Sequence, residues 1–340
     1  MLFMRYLVKE AHFLWTNGHL SADLYQHYAP FILPLPLLVC ALSPILSRDW
    51  MLGVFFVLVD LVTNWCLYEV AHALRIDERE EEQAVKRAFT PEEIALCHLY
   101  NPYSALTTAG QNLTSLNGTL LLLAVLAGMK GRAVLAGAFS ALCVYLDPMS
   151  CGYLISIWMM LRRPLQRQRF STSVIAGISV LFGASTLAVG ARPPSVRLIF
   201  SFYRDRLMFS DARPNVGVWW YLFALIFHQF RTLLAVTVNL VQVGLWLPVS
   251  LKYAHVDALF AVFVGSIIQT AFKGYPTAAD WALTLSLLSL QSHILRQCRL
   301  AIFLPLLIAQ PVVTVISGRV WAYWIQYNGF NSNFFYVLTL

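Results

Sequence analysis

Apolar stretches long enough to cross a bilayer follow one another almost to the last residue of this 340-residue chain. Hydrocarbon supplies no water to pair with backbone N–H and C=O groups, and a helix of about 20 apolar residues both spans the core and satisfies its own backbone. With 59% hydrophobic and 12% charged residues, the chain carries about half the charge of a soluble domain. The pattern predicts an all-α, polytopic membrane helix bundle, a single membrane-embedded domain over residues 1–340.

By the 20-residue rule, crossings are expected near Trp50–Leu74, Pro102–Met129, Ala133–Leu161, Ser173–Gly190, Val256–Phe272, Thr277–Ile294, Leu300–Ser317 and Val320–Leu340. Val216–Leu251 is long enough for two helices around Arg231. The total is about nine to eleven spans, some of them broken or re-entrant. Ala29–Leu46 is apolar but holds Pro30, Pro34, Pro36 and Pro44, each removing an amide donor, and is read as a dip into one leaflet. Met1–Leu14 is broken by Arg5, Lys9 and Glu10 and lacks a small-residue cleavage site, so targeting falls to later helices.

Basic loops set the orientation. Arg75, Arg79, Lys86 and Arg87 follow one span, and Arg162, Arg163, Arg167 and Arg169 follow another, which places both loops in the cytoplasm. Two crossings between them put the Lys130–Arg132 turn on the far side. The net charge of +7 reports this topology, and no basic-aromatic face points to nucleic acid. Arg192, Arg197, Arg204, Arg206 and Arg213 fall opposite the basic loops. Either the crossing count is off by one, or they have a local task such as holding phosphates or an acidic surface. The cysteines are scattered without a CxxC pair or metal-type His spacing, so no metal site and no cofactor is expected.

Three polar islands interrupt the apolar background. An unpaired amide or hydroxyl in hydrocarbon costs several kcal/mol as an order of magnitude, so such groups face a bundle interior, a cavity or a ligand head group. At Asn101–Thr119, Asn101 caps a helix with Pro102 at its first position, and Ser104, Thr108, Gln111 and Ser115 recur on one helical face. That stripe serves either helix–helix hydrogen bonding or a ligand. At Phe272–Asp280 one helix ends and another begins, with Thr277 and Asp280 spaced as a capping box and Lys273 in reach of Asp280. The third island is Asn331-Ser332-Asn333-Phe334-Phe335-Tyr336. Asp60 with Asn64 and Glu69 with His72 share helix faces but are too few for metal or acid/base chemistry, and Asp147-Pro148 reads as a helix break.

Phe209–Phe223, Phe272–Asp280 and Asn331–Tyr336, together with Leu99-Tyr100-Asn101-Pro102-Tyr103, resemble the PIG-U family in its own order over nearly the whole chain. That family is the multispanning subunit of the GPI transamidase. The resemblance implies a bundle similar to GT-C membrane glycosyltransferases without their chemistry, in the endoplasmic reticulum membrane. It also implies presentation of the GPI glycolipid beside a caspase-like catalytic subunit, a zinc-peptidase-like membrane subunit and other transamidase subunits. Carried over residue by residue, the Asn-Ser-Asn-Phe-Phe motif places Asn331 and Asn333 near the lipid, with Phe334, Phe335 and Tyr336 at the acyl interface and no catalytic residue. Lys273 and Asp280 are weaker candidates for the same cavity. The resemblance also implies a spanning helix within Met1–Tyr28 and a further helix and polar tail after Leu340; no clear first span is read there and the sequence stops at Leu340, either as a shortened member or as an incomplete gene model.

A GT-C mannosyltransferase would need an acidic base before the first crossing, where Asp23 and His27 offer themselves without a second acid. A transporter would also suit broken helices and a polar centre, but no internal repeat accompanies them.

Overall fold

The computed structural model describes residues 17, 49–80, 89–188, 200, 203–204, 206–209, 214–295, 299–327, 329 and 331–339. The expected dip at Ala29–Leu46, the Asp23 and His27 pair, and Arg192, Arg197 and Arg213 lie outside them. All regular structure among the described residues is helical. Among the described residues three helices are long and apolar enough to cross a membrane, over Trp50–Arg75, Pro164–Leu187 and His228–Tyr253.

The long helix α1 (Asp49–Glu80) runs toward the basic loops. Beside it, α2 (Pro91–Leu99) and α3 (Pro102–Ala109) climb in the opposite sense as two halves of one broken helix. His98 meets Asp60 at 3.2 Å, and the Gln111 side chain lies over Gly53. Thr90 and Glu93 form a capping box at the start of α2, and the Asn101 side chain accepts from Tyr103 N at 3.0 Å to start α3. The chain turns at Gln111, which holds a left-handed φ of 51°. It then descends as α4 (Thr114–Met129), parallel to α1, with Thr63 and Thr119 hydroxyls 2.6 Å apart and Lys130 on Glu69 at 2.5 Å.

The next segment corrects the expected topology. α5 (Ala133–Leu146), a 3-10 turn (Pro148–Gly152) and α6 (Tyr153–Met160) form a hairpin, not one crossing. α5 rises about 21 Å at 1.5 Å per residue, short of the roughly 30 Å hydrocarbon core. The turn and α6 together descend about the same distance. Gln166 Nε2 donates to Gly131 O at 3.2 Å, so the Lys130–Arg132 turn sits with the Arg162–Arg169 loop and not on the far side. Pro102–Met129 is likewise the upper half of one pass plus the whole of the next, because the chain turns at Gln111–Asn112, where Asn112 Oδ1 accepts from Thr114 N at 3.0 Å, and a new helix starts at Thr114. The two basic loops still share a side, through more passes than expected, and the polar stripe is cut at Gly110–Gln111.

α7 (Pro164–Ala188) rises parallel to α5, closely approached at Gly137, where a Cβ would lie 2.6 Å from that of Ser173. α8 (Trp219–Leu225) and α9 (His228–Tyr253) break at Ile226–Phe227, five residues ahead of the expected break at Arg231. α10 (Ala258–Phe272) packs on α9 and on α6 through Trp246 and Tyr153, whose rings meet edge-on at 5.0 Å. α11 (Ala278–Leu290) packs on α2, α3 and α4, and the short α12 (Ser292–Leu295) follows it. α13 (Leu300–Tyr327) continues through Ser317–Val320, where two spans were expected, and α14 (Ser332–Thr339) turns back on it.

Candidate functional site

Asp147, at the tip of the α5–α6 hairpin, is buried at 5% exposure and anchors a polar assembly on the side away from the basic loops. Its Oδ1 accepts from Met149 N at 3.2 Å, capping the 3-10 turn. Its Oδ2 receives Gln269 Nε2 at 3.3 Å and lies 3.6 Å from Arg206 Nη1 and 3.8 Å from Lys273 Nζ. Lys273 Nζ donates to Asp280 Oδ1 at 2.6 Å, while Asp280 Oδ2 accepts both Thr277 N and Thr277 Oγ1 at 2.8 Å. Two carboxylates thus face two cations, and every carboxylate oxygen has a donor or a cation against it. Buried charges persist in this way only when paired and hydrogen-bonded. Sequence reasoning found Lys273 and Asp280 and the capping box but passed over Asp147; an acid isolated between apolar α5 and Pro148 was the available signal. Of the arginines opposite the basic loops, Arg206 has the local task of neutralising Asp147.

Around this pair of carboxylates the separated motif runs converge. Asn215 accepts from Gly217 N at 2.6 Å and donates to Gly274 O at 3.2 Å, tying the 209–223 run to the 272–280 run. Gly217 lies against Pro276 and Gly274 against the Phe209 ring, where a Cβ would come within 2.7 and 2.8 Å. Trp219 Nε1 donates to Ala271 O at 2.9 Å. On its other face α8 meets α14: Tyr221 and Tyr336 stack at 4.4 Å, and the Tyr221 hydroxyl donates to Asn333 Oδ1. Phe335, at 2% exposure, packs between Trp220, Val320 and Trp324. Asn331 and Asn333 are exposed and Tyr336 is half-buried, so the third motif lies at the surface, tied to α8 through Asn333 and Tyr336 and rooted through Phe335. Nothing is described of the Phe334 side chain.

The pairs on α1 have structural partners. Asp60 meets His98, whose Nδ1 lies 2.8 Å from Ser286 Oγ; Glu69 holds Lys130, and His72 stacks on Tyr68. Asn117 Nδ2 donates to Ser150 Oγ at 3.0 Å, stitching α4 to the hairpin tip. Among the described residues no group of three His, Cys, Asp or Glu side chains is placed to hold a metal ion.

Fold and site together define a multi-pass helical membrane protein with a cluster of two carboxylates and two cations at the tip of a hairpin. The chain belongs to the PIG-U family: the family described as GPI transamidase subunit PIG-U matches residues 6–340. It is 28% identical over 265 residues to the human GPI-anchor transamidase component PIGU, and 29% identical over 267 residues to the Cricetulus griseus protein of that name. Each alignment covers 74% of this chain and 59% of the relative, so the chain spans well under two thirds of the mammalian proteins it matches. The GPI transamidase component GAB1 homolog of Schizosaccharomyces pombe is 22% identical over 336 residues, 98% of this chain and 79% of the relative.

Proposed function

We propose that this chain is a non-catalytic subunit of a GPI transamidase, presenting the GPI glycolipid for attachment to protein C-termini at the endoplasmic reticulum membrane. The observation that carries this reading is the convergence of three motif runs, far apart in sequence, on the side of the bundle away from the basic loops. The exposed Asn331 and Asn333 meet glycan hydroxyls or phosphate oxygens, Asn333 through its Nδ2, since its Oδ1 accepts from Tyr221. Phe334 and Tyr336 border the acyl chains. Phe335 roots the motif in the bundle, and Lys273 and Asp280, paired at 2.6 Å, border the same side of the protein. The bundle is one GT-C-like membrane domain of about nine to eleven spans. Its partners are a caspase-like protease subunit, a zinc-peptidase-like membrane subunit, further transamidase subunits and membrane lipids. Asn331→Leu combined with Asn333→Leu lowers GPI attachment in a reconstituted assay while the variant still co-purifies with its partner subunits. Full attachment by that double variant refutes the ligand role.

A further inference from the structure

A groove of about 790 Å³ runs between α5 and α7, remote from the polar assembly. Val134, Ala138 and Leu142 form one wall; Ala176, Val180 and Leu181 continue the other, which begins with Gln168 and Arg169. We propose that this groove holds an acyl chain of an anionic phospholipid whose phosphate is met by Arg169.

The groove has the polarity of such a lipid. Thr172 and Ser173 turn their hydroxyls away, onto Gln168 O at 3.0 Å and Val134 O at 2.8 Å, which leaves Gln168 and Arg169 as the polar groups at one end. That end lies beside the basic loop, at headgroup level. Arg167 is occupied by the Trp158 ring at 4.5 Å and by Leu161 O at 2.8 Å. Arg162, Arg163 and Arg169 are exposed and make no ion pair among the described residues. Each such interfacial cation attracts anionic headgroups.

Length and charge select the occupant. Leu165 to Leu181 is about 24 Å of helix at 1.5 Å per residue, enough to run the depth of one leaflet of a roughly 30 Å hydrocarbon core. Gly137 and Gly177 let α5 and α7 approach closely along it. An apolar track that ends at an exposed guanidinium matches an acyl chain under an anionic headgroup.

The full chain, purified in mild detergent as the assembly it forms in its own membrane, is incubated with equal amounts of phosphatidylserine and phosphatidylcholine, and bound lipid is counted by native mass spectrometry. Wild type retains phosphatidylserine preferentially. Arg169→Gln lowers that retention roughly fivefold, the gain expected of one interfacial cation, and leaves phosphatidylcholine unchanged. Arg169→Lys keeps the preference, and Lys252→Gln, near the C-terminus of α9, has no effect. Ala176→Trp fills the slot and lowers both lipids. A photoreactive residue at Ala138 gives a second reading of the same slot, labelling lipid. An unchanged preference in Arg169→Gln, or labelling of a partner protein from position 138, overturns the proposal.

Discussion

Replacing Lys273 with methionine removes the cation that bridges the two carboxylates of the polar assembly. The side chains of Lys273, Asp147 and Asp280 are 9%, 7% and 11% exposed, so none recovers full hydration when its partner goes. Asp280 Oδ1 loses its 2.6 Å donor, and Asp147 keeps Arg206, Gln269 and Met149 N. Breaking a buried pair from one side costs about 3–5 kcal/mol, because the surviving charge stays buried without compensation. Asp280→Asn costs less, because Lys273 still faces Asp147 at 3.8 Å and the amide oxygen still accepts from Thr277 N. The double variant strands neither charge. Its loss therefore falls short of the sum of the single losses by about 1–3 kcal/mol, the coupling expected of groups in direct contact. Unfolding by sodium dodecyl sulfate in mixed micelles, followed through tryptophan fluorescence, gives all four corners of the cycle. Additivity to within about 0.5 kcal/mol would show that the pair shares no energy and would refute the reasoning.

Two further predictions follow from the packing and the topology. Cysteines introduced at Arg132 and Arg163 react with a membrane-impermeant maleimide from the same side, because Gln166 bonds Gly131 O; labelling from opposite sides contradicts the hairpin. Gly152→Ala drives a Cβ into the Trp246 ring and costs about 1–3 kcal/mol by overpacking. Gly183→Ala, with open space around it, stays within about 0.5 kcal/mol, and equal effects in the two variants would refute the packing account.

Local chemistry was readable where the deciding groups are neighbours in sequence. Asn101-Pro102 as a helix start, Thr277 with Asp280 as a capping box and Lys273 paired to Asp280 rest on groups at most seven residues apart, and the structure has all three. Passes were harder to count, because an apolar run reports length and not direction. Ala133–Leu161 is long enough to cross once, yet Pro148 and Gly152 let it double back, and only the distant Gln166 reveals which side it returns to. Asp147 was taken for punctuation because its cations lie 59 and 126 residues further on. The convergence of the third motif on α8 depends on Tyr221 meeting Asn333 across 112 residues, beyond the reach of periodicity.

The separation of Asp147 from its cations also has a consequence in time. At roughly 5–20 residues per second, ribosomes need about 3–12 s after Asp147 to make Arg206 and about 6–25 s to reach Lys273. Until Arg206 is made the apolar limbs α5 and α6 are complete while their acidic apex has neither cation, and until Lys273 it has only one. Seating of the apex is thus a late event in biogenesis, complete only once Lys273 has been made.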